Sequence, residues 1–195
     1  MMAKKLQIAS NAPGRTLAMH PQKFGLWLFL CTVMMIFAAM TSAHIVRQAD
    51  GNWMEYDMPS MLWVTSGIII VSSITMHWAY LAAKKDNYGQ VKIAMVLTVL
   101  LSIAFIVGQF GAWKELVAAG VFFVGNPSGS FLYVFTGLHL LHLVSGIFYL
   151  LYILVKSLRQ KINSKNMLNI EMCSTYWHFL GGLWIYLFIF LLMNH

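Results

Sequence analysis

The sequence predicts an all-α integral membrane protein: a single bundle of five transmembrane helices with its N-terminus in the cytoplasm and its C-terminus outside. Two observations lead there. Of the 195 residues 59% are hydrophobic and only 10% charged, against roughly 25% charged in a soluble domain, so the chain has more apolar surface than water tolerates. The few charges it does carry are sorted to alternate ends of its apolar stretches.

Those stretches are residues 24–46, 60–83, 93–113, 131–155 and 172–194, and none contains Asp, Glu, Lys or Arg. At about 1.5 Å per residue each reaches roughly 30 Å or more, the thickness of the hydrocarbon core. A spanning segment must close its own backbone hydrogen bonds, and uninterrupted apolar runs of this length do so as helices; barrel strands are about half as long and alternate. Residues 24–195 therefore read as one membrane domain behind a cytoplasmic arm, 1–23, whose Pro13-Gly14 and Pro21 mark a lead-in. A secretory leader places its apolar stretch close behind a basic start. Here 23 mostly polar residues come first, so no cleavage is expected.

Lys and Arg are retained on the cytoplasmic side of short loops. Lys4, Lys5, Arg15 and Lys23 lie in the arm, Lys84, Lys85 and Lys92 in the second loop, and Arg159, Lys161 and Lys165 with Lys156 in the fourth; only Arg47 and Lys114 lie opposite, beside Asp50, Glu55, Asp57 and Glu115. His195 then faces outward. The formal charge of +7 is accounted for by this topology and by anionic headgroups at the inner leaflet, so no nucleic-acid partner is expected. Cys31 and Cys173 lie toward the cytoplasmic ends of the first and last helices, where thiols stay reduced, and read as packing residues.

Between the spans, Pro59 suits the first turn of the second helix. Residues 117–124 are apolar but too few to cross, which points to a partial re-entrant turn or a patch against another subunit. Trp27, Trp53, Trp63, Trp78, Trp113, Tyr133, Tyr176 and Trp177 fall near the span boundaries, as interfacial rings do. There is no internal repeat and no intramembrane charge, which disfavours a transporter.

Polar residues within the spans need partners away from water. On the fourth helix Phe135, Thr136, His139, His142, Gly146 and Tyr149 share a face; on the fifth, Glu171, Ser174, Thr175, His178, Gly181, Gly182 and Ile185 form a stripe. Thinner stripes are Ser66, Ser73 and His77 on the second helix and Thr98, Ser102 and Gln109 on the third. The histidines raise the possibility of haem or metal. His142 lies near mid-membrane, however, and His77 and His178 about two turns nearer the cytoplasm, too far apart in depth for opposed axial ligands. The spans also contain no carboxylate. His139, His142 and His178 are accordingly expected to pin helices together, with Gly146, Gly181 and Gly182 as close-contact faces. Trp177, His77 and Gln109 are further interhelical or lipid-cleft candidates. Losing one buried hydrogen bond at His142 should cost roughly 1–2 kcal/mol. No catalytic, cofactor or metal residue is expected in the chain.

Two segments go beyond composition. Thr136-Gly137-Leu138-His139-Leu140-Leu141-His142-Leu143-Val144-Ser145-Gly146 resembles the T-G-x-H-x-x-H-x-x-x-G segment of subunit III of haem–copper respiratory oxidases, and Tyr176-Trp177-His178-Phe179 with Trp184 resembles that family's last helix. Phe24 to Phe29, Ser72 to Thr75 and Gln109 match more weakly, in the right order. Three positions depart from the family pattern: Thr32-Val33 stands for Ser-Glu, Gly181 replaces an acid after W-H-F, and Ala112 replaces one after Gln109.

The resemblance implies the short five-helix bacterial form of subunit III, in the bacterial inner (plasma) membrane. It implies a non-catalytic subunit of a proton-pumping terminal oxidase of the cytochrome c type in aerobic respiration. Haem and copper would belong to catalytic subunit I, subunit II and other oxidase partners, and structural phospholipids to a cleft of this chain. A larger respiratory supercomplex is a further partner the resemblance allows. The alternatives are an accessory subunit of a quinol oxidase or nitric oxide reductase, and an independent haem-b protein.

Overall fold

The computed structural model describes residues 20–158 and 167–194. The arm residues Lys4, Lys5 and Arg15, the loop residues Arg159, Lys161 and Lys165, and His195 lie outside them. Five helices make up the fold: α1 (Pro21–Ala49), α2 (Ser60–Lys84), α3 (Tyr88–Ala118), α4 (Pro127–Leu158) and α5 (Leu168–Met193). All five are long and apolar enough to cross a membrane, and there is no strand among the described residues. Each runs past the apolar stretch that announces it, because a helix continues into the headgroup region until a backbone signal stops it.

Those signals are local. Pro21 opens α1 at a position whose missing N–H costs nothing, and His20 Nδ1 accepts from Gln22 N at 3.4 Å. Pro59 stands one residue before α2, as its N-cap rather than inside its first turn. The Asn87 side chain caps α3 by accepting from Gln90 N at 3.3 Å. Asn126 does the same for α4, accepting from Ser128 N at 2.9 Å.

α3 ends where Gly120 adopts φ +81°. Gly120 N bonds Val117 O at 3.1 Å and Val121 N bonds Leu116 O at 2.9 Å, while Val121 packs on Leu116. This is a Schellman stop, and the left-handed residue at its centre favours glycine. It also divides residues 117–124, the segment read as a partial re-entrant turn or a patch against another subunit. Val117 and Ala118 finish α3, Val121 turns back onto the bundle, and Phe122 to Val124 stay on the outside.

Packing follows the chain. α2 contacts α3, α3 contacts α4, α4 contacts α5 and α5 returns to α2, which closes a four-helix ring; α2 against α3 is the most extensive contact. α1 lies outside the ring in the furrow between α4 and α5. Its buried residues are Leu30, Val33, Phe37, Thr41 and His44, one narrow stripe at helical spacing. Its opposite side, with Leu28, Met35 and Val46, is exposed and apolar, as a lipid-facing helix should be.

Two expectations about side chains change. Trp27, Trp63 and Trp78 are exposed, but Trp177 and Tyr176 are buried in the core. They lie on the side of α5 that faces α2 and α4, and their polar atoms are used there. Cys173 is buried, as a packing residue should be, whereas Cys31 on α1 is exposed.

Candidate functional site

The polar residues of the interior act as a set of rungs between helices. On α5, Trp177 Nε1 donates to Ser72 Oγ and Trp184 Nε1 donates to Ser66 Oγ, each at 3.0 Å. The two indoles are two turns apart on α5 and their serines nearly two turns apart on α2, in reverse order, so the rungs follow the antiparallel crossing. Ser66 Oγ gives its own proton to Leu62 O at 2.7 Å, leaving a lone pair free for the indole. The network continues through Thr75 Oγ1, 2.9 Å from Thr98 Oγ1 on α3. Each of those hydroxyls also reaches a carbonyl of its own helix at 2.8 Å. With two protons for three contacts, α2 and α3 are joined when either hydroxyl gives its proton to the other instead of to its own carbonyl.

The histidine motif of α4 distributes its side chains among every helix that α4 touches. Thr136 Oγ1 accepts from Trp113 Nε1 of α3 at 3.0 Å. The His139 ring lies 5.0 Å from Trp184 of α5 and 6.1 Å from Phe105 of α3. His142 packs against Phe37 and Phe29 of α1 at 5.9 and 6.4 Å. Ser145 Oγ pairs with Tyr176 Oη of α5 at 2.7 Å. A Cβ on Gly146 would stand 2.9 Å from Leu180 Cδ1 and 3.4 Å from the Trp177 ring, so α4 and α5 approach closely there and a larger residue would have to displace the Leu180 side chain.

The three expected imidazole pins separate into three cases. His178 Nδ1 meets Ser73 Oγ of α2 at 2.8 Å, a genuine interhelical bond. His142 bonds Leu138 O of its own helix at 2.8 Å, so its contribution between helices is ring packing. His139 is fully buried and neither ring nitrogen has a hydrogen-bond partner among the described residues. Gln109 is also buried with both amide atoms unpartnered there. Its stripe mates Thr98 and Ser102 are buried and bonded.

The small-residue face of α5 also divides. Gly181 approaches α2, where a Cβ would lie 3.4 Å from Ser73 Oγ. Gly182 is exposed, and nothing lies within 4 Å of a Cβ built there. It is not a close-contact residue, because one residue further along α5 turns the chain by 100° out of the α2 crossing. Instead it borders two apolar grooves. One, of about 400 Å³ between α2 and α5, runs from Ile185 past Ile69 to His77 and His178, whose rings are 5.8 Å apart. The other, of about 390 Å³ between α1 and α5, is lined by Met34, Phe37, Phe179 and Tyr186.

Two features escape a reading of the sequence by stripes. His44 is buried and ringed by Trp53, Phe131, Phe135 and Phe190 at 4.7 to 5.8 Å. It is a polar residue in an apolar span, one face with Phe37 and Thr41, and the rule applied to the other histidines would have found it. The second is Lys23 Nζ on Glu171 Oε1 at 2.7 Å, which ties the start of α1 to the start of α5. Among the described residues no three His, Cys, Asp or Glu side chains come together in a way that could hold a metal ion.

The fold and its interior define a multi-pass membrane protein in which Thr41, Ser66, Ser72, Thr75, Thr98 and Thr136, all buried, join one helix to another. The family model for cytochrome c oxidase subunit III matches residues 12–194. A Corynebacterium diphtheriae protein named cytochrome c oxidase subunit 3 is 29% identical over 189 residues, covering 91% of this chain and 92% of its own. A Pseudomonas aeruginosa protein named cytochrome bo(3) ubiquinol oxidase subunit 3 is 31% identical over 173 residues, covering 85% and 81%. A Staphylococcus saprophyticus protein named probable quinol oxidase subunit 3 is 26% identical over 172 residues, covering 85% of each. The chain belongs to the cytochrome c oxidase subunit III family.

Proposed function

We propose that this chain is a non-catalytic structural subunit of a proton-pumping terminal oxidase of the cytochrome c type, seated against the catalytic subunit in the bacterial plasma membrane. The match along residues 12–194 carries the reading. The internal chemistry supports it: Ser66, Ser72, Ser73, Thr75 and Thr136 are engaged by other helices of the same chain. In this reading haem and copper belong to partner subunits. The basic residues Lys23, Lys84, Lys85 and Lys156 set the cytoplasmic face.

Phospholipid is the ligand of this chain, and the two grooves that meet at Gly182 are its seats; their walls are apolar and they open toward lipid. Gly182→Leu would place a branched side chain at the edge the two grooves share, where a Cβ meets nothing. Native mass spectrometry of the complex should then show fewer retained lipids at unchanged subunit composition. Unchanged lipid retention would remove the grooves from consideration.

The second reading is a quinol oxidase, favoured by the 31% identity to the ubiquinol oxidase relative. Purification through a tag on this chain decides between them. Oxygen consumption by the recovered complex with reduced cytochrome c supports the first reading, and consumption with quinol alone the second. Recovery of the chain without a haem-bearing partner would refute both.

A further inference from the structure

The loop between α3 and α4 exposes Phe122, Phe123 and Val124, at 56, 55 and 80%. Each such side chain left in water forgoes roughly 1.5–3 kcal/mol of transfer free energy. The loop's backbone is closed internally at four groups, while the N–H groups of Phe122, Phe123 and Val124 stay open. Gly120 N and Val121 N are closed on α3 by the Schellman bonds. Val121 O accepts from Tyr133 Oη at 3.0 Å and Phe123 O from Ser130 Oγ at 2.6 Å, both donors projecting from α4. Partial closure with open amides suits the boundary between acyl chains and headgroups, where the side chains reach lipid and the free N–H groups reach water or headgroup oxygens.

The rings indicate the depth. Phe123 lies 6.2 Å from Tyr133, Tyr133 lies 6.1 Å from Trp113, and Trp113 lies 5.2 Å from Phe110. The loop thus folds back to the level of an aromatic girdle on α3 and α4, where Trp and Tyr mark the membrane interface. Phe110 and Val117 continue the exposed apolar surface on α3, with Lys114 between them at a height from which its ammonium reaches the headgroups. No charged residue occurs between Glu115 and Lys156. The neighbouring loop, at the same end of the bundle and joined to this one by Asn126 Nδ2 on Asn52 O at 3.2 Å, contains Asp50, Glu55 and Asp57.

We infer that Phe122, Phe123 and Val124 form an interfacial anchor inserted among the acyl chains just beneath the headgroups of the leaflet at this end of the bundle. Its partner is the phospholipid bilayer itself. The aqueous loop 50–59 and this buried one then set the chain's height in the membrane together, one from each side of the interface.

The test uses the complex recovered through a tag on this chain, reconstituted in phosphatidylglycerol/phosphatidylethanolamine liposomes. A nitroxide is placed at Val124→Cys or Phe122→Cys, with Cys31→Ser, and at Glu55→Cys as the aqueous reference; all three positions are exposed and tolerate the label. Collision with oxygen, which concentrates in lipid, is compared with collision with a water-soluble nickel chelate. The oxygen-to-nickel ratio at 122 and 124 should exceed that at 55 several-fold, as expected for a non-polar probe partitioned below the headgroups. A ratio equal to that at 55 places the loop in water and overturns the anchor. Low collision with both reagents places it against another polypeptide and overturns it equally.

Discussion

Gly108 of α3 faces Thr65 of α2 at the most extensive contact of the bundle, and exchanging a single methyl group there tests how that contact is built. A Cβ on Gly108 would stand 2.6 Å from Thr65 Cγ2, about 1 Å inside the carbon–carbon optimum. Thr65 cannot easily withdraw. It is fully buried, its branched side chain is stiff, and its hydroxyl holds Leu62 O at 3.0 Å. Gly108→Ala must therefore part the helices or rotate Thr65 off that carbonyl, an overpacking cost of about 1–3 kcal/mol. The gain in helix propensity offsets at most about 1 kcal/mol. The expected net loss is up to about 2 kcal/mol.

Thr65→Ser removes the obstructing methyl and keeps the hydroxyl; alone it should cost about 1 kcal/mol for the lost methyl and the space it leaves. In the double variant the alanine methyl occupies that space. Its stability should return close to wild type, with a favourable coupling of about 1–3 kcal/mol. Thermal unfolding of the detergent-solubilised chain, followed by far-ultraviolet circular dichroism, measures all four corners of the cycle. Additive losses would refute the reasoning, because they would mean that α2 and α3 do not meet through this pair.

Other perturbations test the rest of the interior. Trp177→Phe and Trp184→Phe each remove a 3.0 Å rung and should cost about 0.5–1.5 kcal/mol from hydrogen bonding alone; adding Ser72→Ala to Trp177→Phe should then cost little more in the same melt. His139→Leu should be neutral or stabilising, since it removes an unpartnered buried imidazole. His178→Leu should lower the melting temperature, because it breaks the bond to Ser73. Outside the membrane, burial raises the Tyr56 phenol from its ordinary 10 to about 12, and a hydrogen bond with Ser128 lowers it in part. The folded state therefore favours the neutral phenol. The resulting stability is complete below pH 10 and is lost as pH rises toward 12, a loss of order 2 kcal/mol that Tyr56→Phe should abolish in alkaline melts.

The lipid-facing half of the structure was legible because it depends on composition. Phe24 to Val46 had to be a helix, and its exposed Met34 and Met35 follow from the absence of any internal partner for them. The motif residues were legible as a set, since Thr136, His139 and Gly146 each had to meet protein, and each does. Which atom meets which was not. His142 and His178 look equivalent on a helical wheel, yet one bonds its own turn and the other crosses to α2. Gly181 and Gly182 are adjacent in one stripe, yet only the first approaches a neighbour. A helical wheel gives an angle about one axis, whereas contact depends on where a second axis crosses it.

From its sequence alone this protein is a five-span membrane helix bundle with its basic residues sorted by loop, because hydrophobic length and charge act on each segment independently of the others. The closure of α2 to α5 into a ring was decided only by the tertiary structure. So were the exclusion of α1 to the furrow outside, the pairing of Trp177 with Ser72 and Trp184 with Ser66, and the folding of Phe123 back to the Tyr133 girdle. These rest on the relative offset and rotation of neighbouring helices, which follow from how all their side chains pack at once.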